Sequence, residues 1–124
     1  MNKLLLIAAG GGLGSVLRYL AASWGQQLVA GEFPIGTLLV NVSGCLLIGY
    51  LGTLFVGPAV LREEYRIAVL VGFLGGFTTF STFGYETWGL LADRSWGMAI
   101  ANFLISNVVG VTAVWLGQRL ANLH

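Results

Sequence analysis

Four long, nearly unbroken apolar runs divide the chain, near 4–22, 35–56, 67–88 and 95–118. Each comes close to the ~20 mostly apolar residues that an α-helix needs to cross a bilayer. The first run holds one charge, Arg18, the second and fourth hold none, and the third holds none up to Tyr85. The connectors around 23–34, 57–66 and 86–94 carry every Asp and Glu, together with Pro34 and Pro58. Prolines belong there, because they break helices. The pattern predicts an all-α membrane protein, with one domain over 1–124 and four transmembrane helices. The opening MNKLLLIAAGGGLGS imitates a secretion signal. The apolar pattern continues past Arg18 to Ala22 and further spans follow, so a retained first helix is expected.

Composition agrees with lipid as the solvent. The chain is 56% hydrophobic and 9% charged, where a soluble domain carries about a quarter charged residues. A net charge of +1 gives no nucleic-acid footprint. Cys45 is the single cysteine, so an intrachain disulfide is excluded and a small buried hydrophobe is its expected role. The single histidine, His124, is the last residue, and no cluster of metal ligands stands out. No paired carboxylates and no Ser/His/Asp set are present, so the chain reads as a non-enzyme. Trp24, Trp88 and Trp96 fall at span ends on one membrane face and Trp115 near the other, as an aromatic belt requires. Lys3, Arg62, Arg66 and Arg119 fall on one side and Arg18 and Arg94 on the other. So weak a bias permits insertion both ways.

One stretch is poor helix material inside an apolar run: Gly72 to Tyr85, GFLGGFTTFSTFGY. Its glycines loosen the backbone. Thr78, Thr79, Ser81 and Thr82 offer hydroxyls that compete for backbone groups. Phe77, Phe80 and Phe83 recur every third residue and share a side of a roughly helical backbone. Irregular backbone at membrane depth survives only where it is buried in protein or lines a wet path. Asn41, mid-span in the second run, is either an interhelical tie or a donor facing a path. Asn102, Ser106 and Asn107 pose the same choice in the fourth run, with Asn102 and Ser106 one turn apart. Aromatic rings have a positive edge, so Phe80 and Phe83 can hold a small anion weakly, as conduction requires. Arg18 either snorkels to the interface or draws anions into a vestibule, and Glu86 marks the membrane surface or borders that vestibule. Gly10, Gly11, Gly12, Gly14, Gly44, Gly49, Gly52, Gly110 and Gly117 are expected at close helix contacts.

At Gly75 to Phe83, Gly-Gly-Phe-Thr-Thr-Phe-Ser-Thr-Phe, the chain resembles the bacterial fluoride channels of the CrcB (Fluc) family. The likeness extends to Gly-Thr-Leu-Leu-Val-Asn-Val-Ser-Gly from Gly36 to Gly44, to the pair Arg18 and Tyr19, and to the four-span length. It implies an antiparallel dual-topology homodimer in the bacterial inner membrane, with two fluoride pores selective over chloride. It implies a third helix broken at mid-membrane, where the backbone carbonyls of Gly75 and Thr78 from both subunits hold a structural sodium ion. Phe80 and Phe83 match the ring edges lining each pore, Asn41 the pore asparagine, and Ser81 and Thr82 a hydroxyl pair beside it. Ser106 matches the hydroxyl track on the fourth helix, although Asn102 and Gly110 depart from that track in the flanking turns. Arg18 and Glu86 match vestibule positions.

The leading expectation is therefore passive fluoride efflux. A small proton-coupled multidrug-type exporter shares the size and span count but needs an ionisable carboxylate within a span. A non-transporting membrane assembly subunit is the third class.

Overall fold

The apolar runs fold as helix, the third of them with an interruption, because a backbone surrounded by lipid must satisfy its own hydrogen bonds. The computed structural model describes residues 2–124, and no strand occurs among them. The spans are α1 (Asn2–Gln27), α2 (Ile35–Val56), a third of several pieces over Glu63–Ala92, and a last one over Trp96–Ala121. The third comprises α3 (Glu63–Ile67), a π-helical turn (Ala68–Phe73), α4 (Leu74–Phe77) and α5 (Phe80–Ala92), and the last span is α6. All four are long and apolar enough to cross a membrane, so the chain is a multi-pass membrane protein. The first helix outruns its apolar window and reaches Gln27. Arg18 thus lies more than two turns inside it.

Short connections fix the order. Gln26, near the end of α1, ties down the far end of the first loop: its Nε2 donates to the Phe33 carbonyl at 3.0 Å, and its Oε1 accepts from Gly36 N–H at 3.2 Å. One of the unpaired amides at the start of α2 is thereby satisfied. Between α5 and α6, Arg94 takes φ 60°, a left-handed conformation that glycine usually supplies at a helix end. Ser95 N–H closes that turn onto the Leu90 carbonyl at 2.8 Å.

Glycines set the packing, since helices in lipid associate through close backbone contact. α2 lies along α6. A Cβ on Gly49 would strike the Val114 carbonyl, and one on Gly117 would strike the Leu46 carbonyl. α1 lies against the first half of the third span, where a Cβ on Gly14 would meet the Phe73 carbonyl and one on Gly76 the Gly11 carbonyl. Gly10, Gly44 and Gly72 are similarly crowded. Gly12 and Gly52 face open space, and Gly110 is only in ordinary contact with Cys45. A glycine in a span is thus no proof of a close contact, because the sequence does not say which face meets a neighbour.

The two halves of the third span therefore rest on different supports. The half before Thr78 packs on α1, and α5 packs chiefly on α6. Thr78 (φ −95°, ψ 159°) and Thr79 (φ −152°, ψ 116°) are extended between them. The chain leaves the helix after Gly75 and Gly76, which are still helical in α4, and Gly84 lies within α5 beyond the interruption.

Gly117→Val should disrupt the α2–α6 contact and lower stability by ~2 kcal/mol or more, in the range of overpacked cores. Gly52→Ala, in open space, should be nearly neutral. Thermal unfolding of the two variants in detergent checks the contrast.

Candidate functional site

The interruption in the third span is held by side chains. Thr78 ends α4: its N–H and its hydroxyl both donate to the Leu74 carbonyl, at 3.0 and 2.9 Å. Thr79 starts α5 as an N-cap, its Oγ1 accepting from Thr82 N–H at 3.1 Å. The same hydroxyl donates to Thr82 Oγ1 at 3.0 Å and lies 3.4 Å from Ser81 Oγ. Asn41 on α2 grips the extended peptide from both sides. Its Nδ2 donates to the Thr79 carbonyl at 2.9 Å, and its Oδ1 accepts from Thr79 N–H at 2.8 Å.

These bonds divert two amides from the helix ladder. Thr79 N–H would ordinarily reach back to the Gly75 carbonyl but goes to Asn41. Thr82 N–H would reach the Thr78 carbonyl but goes to the Thr79 hydroxyl. The Gly75 and Thr78 carbonyls therefore lose their regular donors at a place where lipid offers none. A Cβ on Gly75 would touch nothing within 4 Å. That face of the helix is open.

A hollow of about 340 Å³ opens beside the interruption. Its walls bring together Asn41, Gly75, Thr78, Phe80, Phe83 and Ser106, along with Thr79, Asn107 and Cys45. No charged side chain is among them. The Phe80 and Phe83 rings lie 5.5 Å apart at 49°. Phe80 is 81% exposed on the free chain while Phe83 is 7% exposed. Cys45, expected as a buried hydrophobe, is half-buried on this wall.

Four candidates lie elsewhere. Thr82 and Arg18 line a second hollow of about 230 Å³, with Thr37, Tyr19 and Ser23. Thr79 is a wall of both hollows. Ser81 is exposed and reaches neither. Glu86 sits inside the helical span, with Oε1 accepting from the Thr37 hydroxyl at 2.8 Å and Oε2 buried without a partner. Thr37 escaped the sequence reading, although it lies one turn before Asn41 on the same helix face and that spacing points to it.

The fourth helix contributes a hydrogen-bonded chain. Ser106 Oγ donates to Asn102 Oδ1 at 3.3 Å, Asn102 Nδ2 donates to Thr87 Oγ1 at 2.9 Å, and Thr87 Oγ1 donates to the Phe83 carbonyl at 2.7 Å. Asn102 is 2% exposed. A buried amide needs such partners, and here they tie α6 to α5. Asn107 is exposed and bonds only its own helix, at the Phe103 carbonyl. Among the described residues no group of His, Cys, Asp and Glu could hold a metal ion.

The family described as "CrcB-like protein, Camphor Resistance (CrcB)" matches residues 5–118. The chain belongs to the CrcB-like family. It is 46% identical over 119 residues to the fluoride-specific ion channel FluC of Solibacter usitatus, covering 96% of this chain and 98% of that protein. FluC 2 of Symbiobacterium thermophilum is 45% identical over 115 residues, covering 93% of this chain and 94% of its own length. FluC of Geobacter metallireducens is 44% identical over 121 residues, covering 98% of each. The CrcB-like relatives are named as ion channels, so the family is not one of enzymes.

Asn41→Asp should destabilise this CrcB-like chain. The carboxylate can accept from Thr79 N–H but faces the Thr79 carbonyl with no proton to donate. The Thr79 carbonyl keeps the first helical bond of α5, so the loss is that of one side-chain hydrogen bond with two oxygens left facing each other, about 1 kcal/mol or more, and the thermal midpoint of the variant in detergent should fall accordingly.

Proposed function

We propose that this chain forms a fluoride-selective channel for passive fluoride efflux across the bacterial inner membrane. It works as an antiparallel dual-topology homodimer with two pathways. One observation carries the reading. The hollow beside the helix interruption is walled by phenylalanine rings, amides, hydroxyls and the aliphatic side chains of Ile48, Leu70 and Leu74, without a charge, in a chain nearly half identical to proteins named fluoride-specific channels.

A small anion crossing lipid must replace its water shell. Asn41 keeps a second N–H beyond its bond to Thr79, the Ser106 hydroxyl on the wall can donate once it leaves Asn102, and ring edges of Phe80 and Phe83 add weak positive potential. None of these holds an anion as a lysine would, so the ion can leave as well as enter. Arg18, in the neighbouring hollow with Thr82 and Thr37, supplies the attractive field of a vestibule, with Ser81 and Glu86 at its margins. The start of α5 adds the positive end of a helix dipole to the same region.

The dimer follows from what the single chain leaves bare. Asn107 and Ser81 are exposed polar side chains in spans, and the Gly75 face is open. Polar groups toward lipid are costly, so a second copy across a two-fold axis is the natural cover. The near balance of Lys and Arg permits the opposed orientation. The third helix is then broken at mid-membrane, at the dimer axis. The Gly75 and Thr78 carbonyls fit a small monovalent cation, being oxygen donors without ladder partners and without a basic side chain on the wall. We assign them to a structural sodium ion, which supplies positive charge that offsets the dipoles of the carbonyls.

A proton-coupled exporter is kept as a second reading by Glu86, a carboxylate inside a span with one buried oxygen lacking a partner. Purified protein in liposomes distinguishes the two. Fluoride efflux read by a fluoride electrode, with little chloride movement, is expected. Proton-coupled drug exchange, or no flux, overturns the proposal. The latter result returns the chain to the class of assembly subunits.

Phe80→Ile and Phe83→Ile should each lower fluoride flux at least about tenfold, which is ~1.4 kcal/mol on the barrier, while the dimer persists on size exclusion. Unchanged flux in both variants removes the rings from the pathway. Replacing sodium by a large organic cation should abolish flux and loosen the dimer. Flux that persists undiminished after verified sodium removal rules out an essential ion.

A further inference from the structure

In the structure the Ser106 proton points away from its task. The hydroxyl lines the hollow, yet its hydrogen goes to Asn102 Oδ1. Only lone pairs are then left for the hollow, and lone pairs repel an anion. The Ser106–Asn102 bond is the longest of its chain, at 3.3 Å, and the bonds beyond it, to Thr87 and to the Phe83 carbonyl, are 2.9 and 2.7 Å.

An asparagine amide is nearly the same shape when turned over, but its donor and acceptor ends exchange places. With Asn102 turned, Nδ2 faces Ser106 Oγ and donates to it. Oδ1 faces Thr87 Oγ1, whose proton moves from the Phe83 carbonyl to the amide oxygen. Ser106 is then the acceptor within the chain, and its own proton is free to donate into the hollow. Every group on the route can take either role: two hydroxyls that both donate and accept, and one amide with both ends. The Phe83 carbonyl gives up only the side-chain bond, since it belongs to the backbone of α5.

We infer that Asn102 and Thr87 are positioning residues for the anion path, forming a reversible hydrogen-bond relay that turns the Ser106 hydroxyl from acceptor to donor when an anion arrives. This rests on the channel reading of the same site and names residues that the ring-and-asparagine account leaves out. Asn102 is buried on α6, so it reaches no anion itself. Its effect passes through Ser106. The far end of the relay lies on the backbone of Phe83, one of the two rings beside the path, so anion arrival is felt at α5 as well.

The test is a double-mutant cycle in liposome fluoride flux. Thr87→Val removes the proton that the turned amide must accept. The variant should lose at least tenfold of the flux, with Thr87→Ser recovering to within twofold of the original chain. Ser106→Ala should lose a comparable amount. The decisive variant is the pair T87V/S106A, which should conduct like S106A alone, because Thr87 acts only through the serine. A merely structural Thr87 would lower flux by the same factor in both backgrounds, and that result overturns the relay. T87V conducting like the original chain also overturns it. Should the valine variant not fold, Thr87→Ala completes the same cycle. Fluoride flux by the original chain in the same liposomes keeps the two ideas apart: its absence defeats the channel reading, whereas its presence with an additive cycle defeats only the relay.

Discussion

The two-way bond between Asn41 and the Thr79 peptide is the constraint on which the site depends. A helix that stops within a span exposes amides and carbonyls that lipid cannot satisfy, at several kcal/mol each. One side chain on α2 meets both groups of one extended residue. Thr78 and Thr79 treat the neighbouring helix ends with their hydroxyls. The interruption is therefore a built feature with its own partners and not a soft place left by glycine. The amide also fixes α2 against the third span at the level where Phe80 and Phe83 face the hollow.

The glycine contacts act on that arrangement from a distance. α1 presses on the half-span before Thr78, α6 holds α5, and α2 runs between them. Because the two halves are anchored to different helices, the extended pair can be held open without the halves closing into one straight helix. The π-helical turn at Ala68–Phe73 lies where Gly10 and Gly72 bring α1 and the third span together. Such turns re-aim the residues after them by shifting the helical register. Leu74 to Phe77, and with them the Gly75 carbonyl, are presented on a face that an unbroken α-helix would turn elsewhere.

Much of this was legible in the sequence, and what was missed has a common cause. The four spans follow from apolar length alone, because lipid imposes one demand on the whole run. Asn41, Phe83 and Ser106 stood out as residues whose chemistry conflicts with that demand, and the hollow collects them. Which group satisfies each polar residue was not legible, because partners come from helices far apart in sequence: Asn41 with Thr79, Thr37 with Glu86, Asn102 with Thr87. The π turn leaves no composition signal. Gly12 and Gly52 look like Gly14 and Gly49 in sequence but face open space, since helix rotation is set by all contacts together. Arg18 looked terminal because its apolar window ended early, whereas the helix itself continues to Gln27.

The bond pattern also separates charge preferences at one point of the fold. Carbonyls that lose their ladder donors collect at the end of α4 and make that point negative. The start of α5, a few residues on, carries the opposite dipole and favours an anion. Were the helix continuous, the two would cancel within the ladder. The extended pair at Thr78 and Thr79 pulls them apart, and the bonds from Asn41 and Thr82 decide which groups remain unpaired. The hollow wall sets hydroxyls and amides among aliphatic and aromatic side chains and carries no fixed charge. A site built from dipoles in this way holds an ion only weakly, and that is what the proposed conducting path requires. The same logic explains why hydroxyls and amides, whose donors can be re-aimed, are found here in place of lysine or arginine.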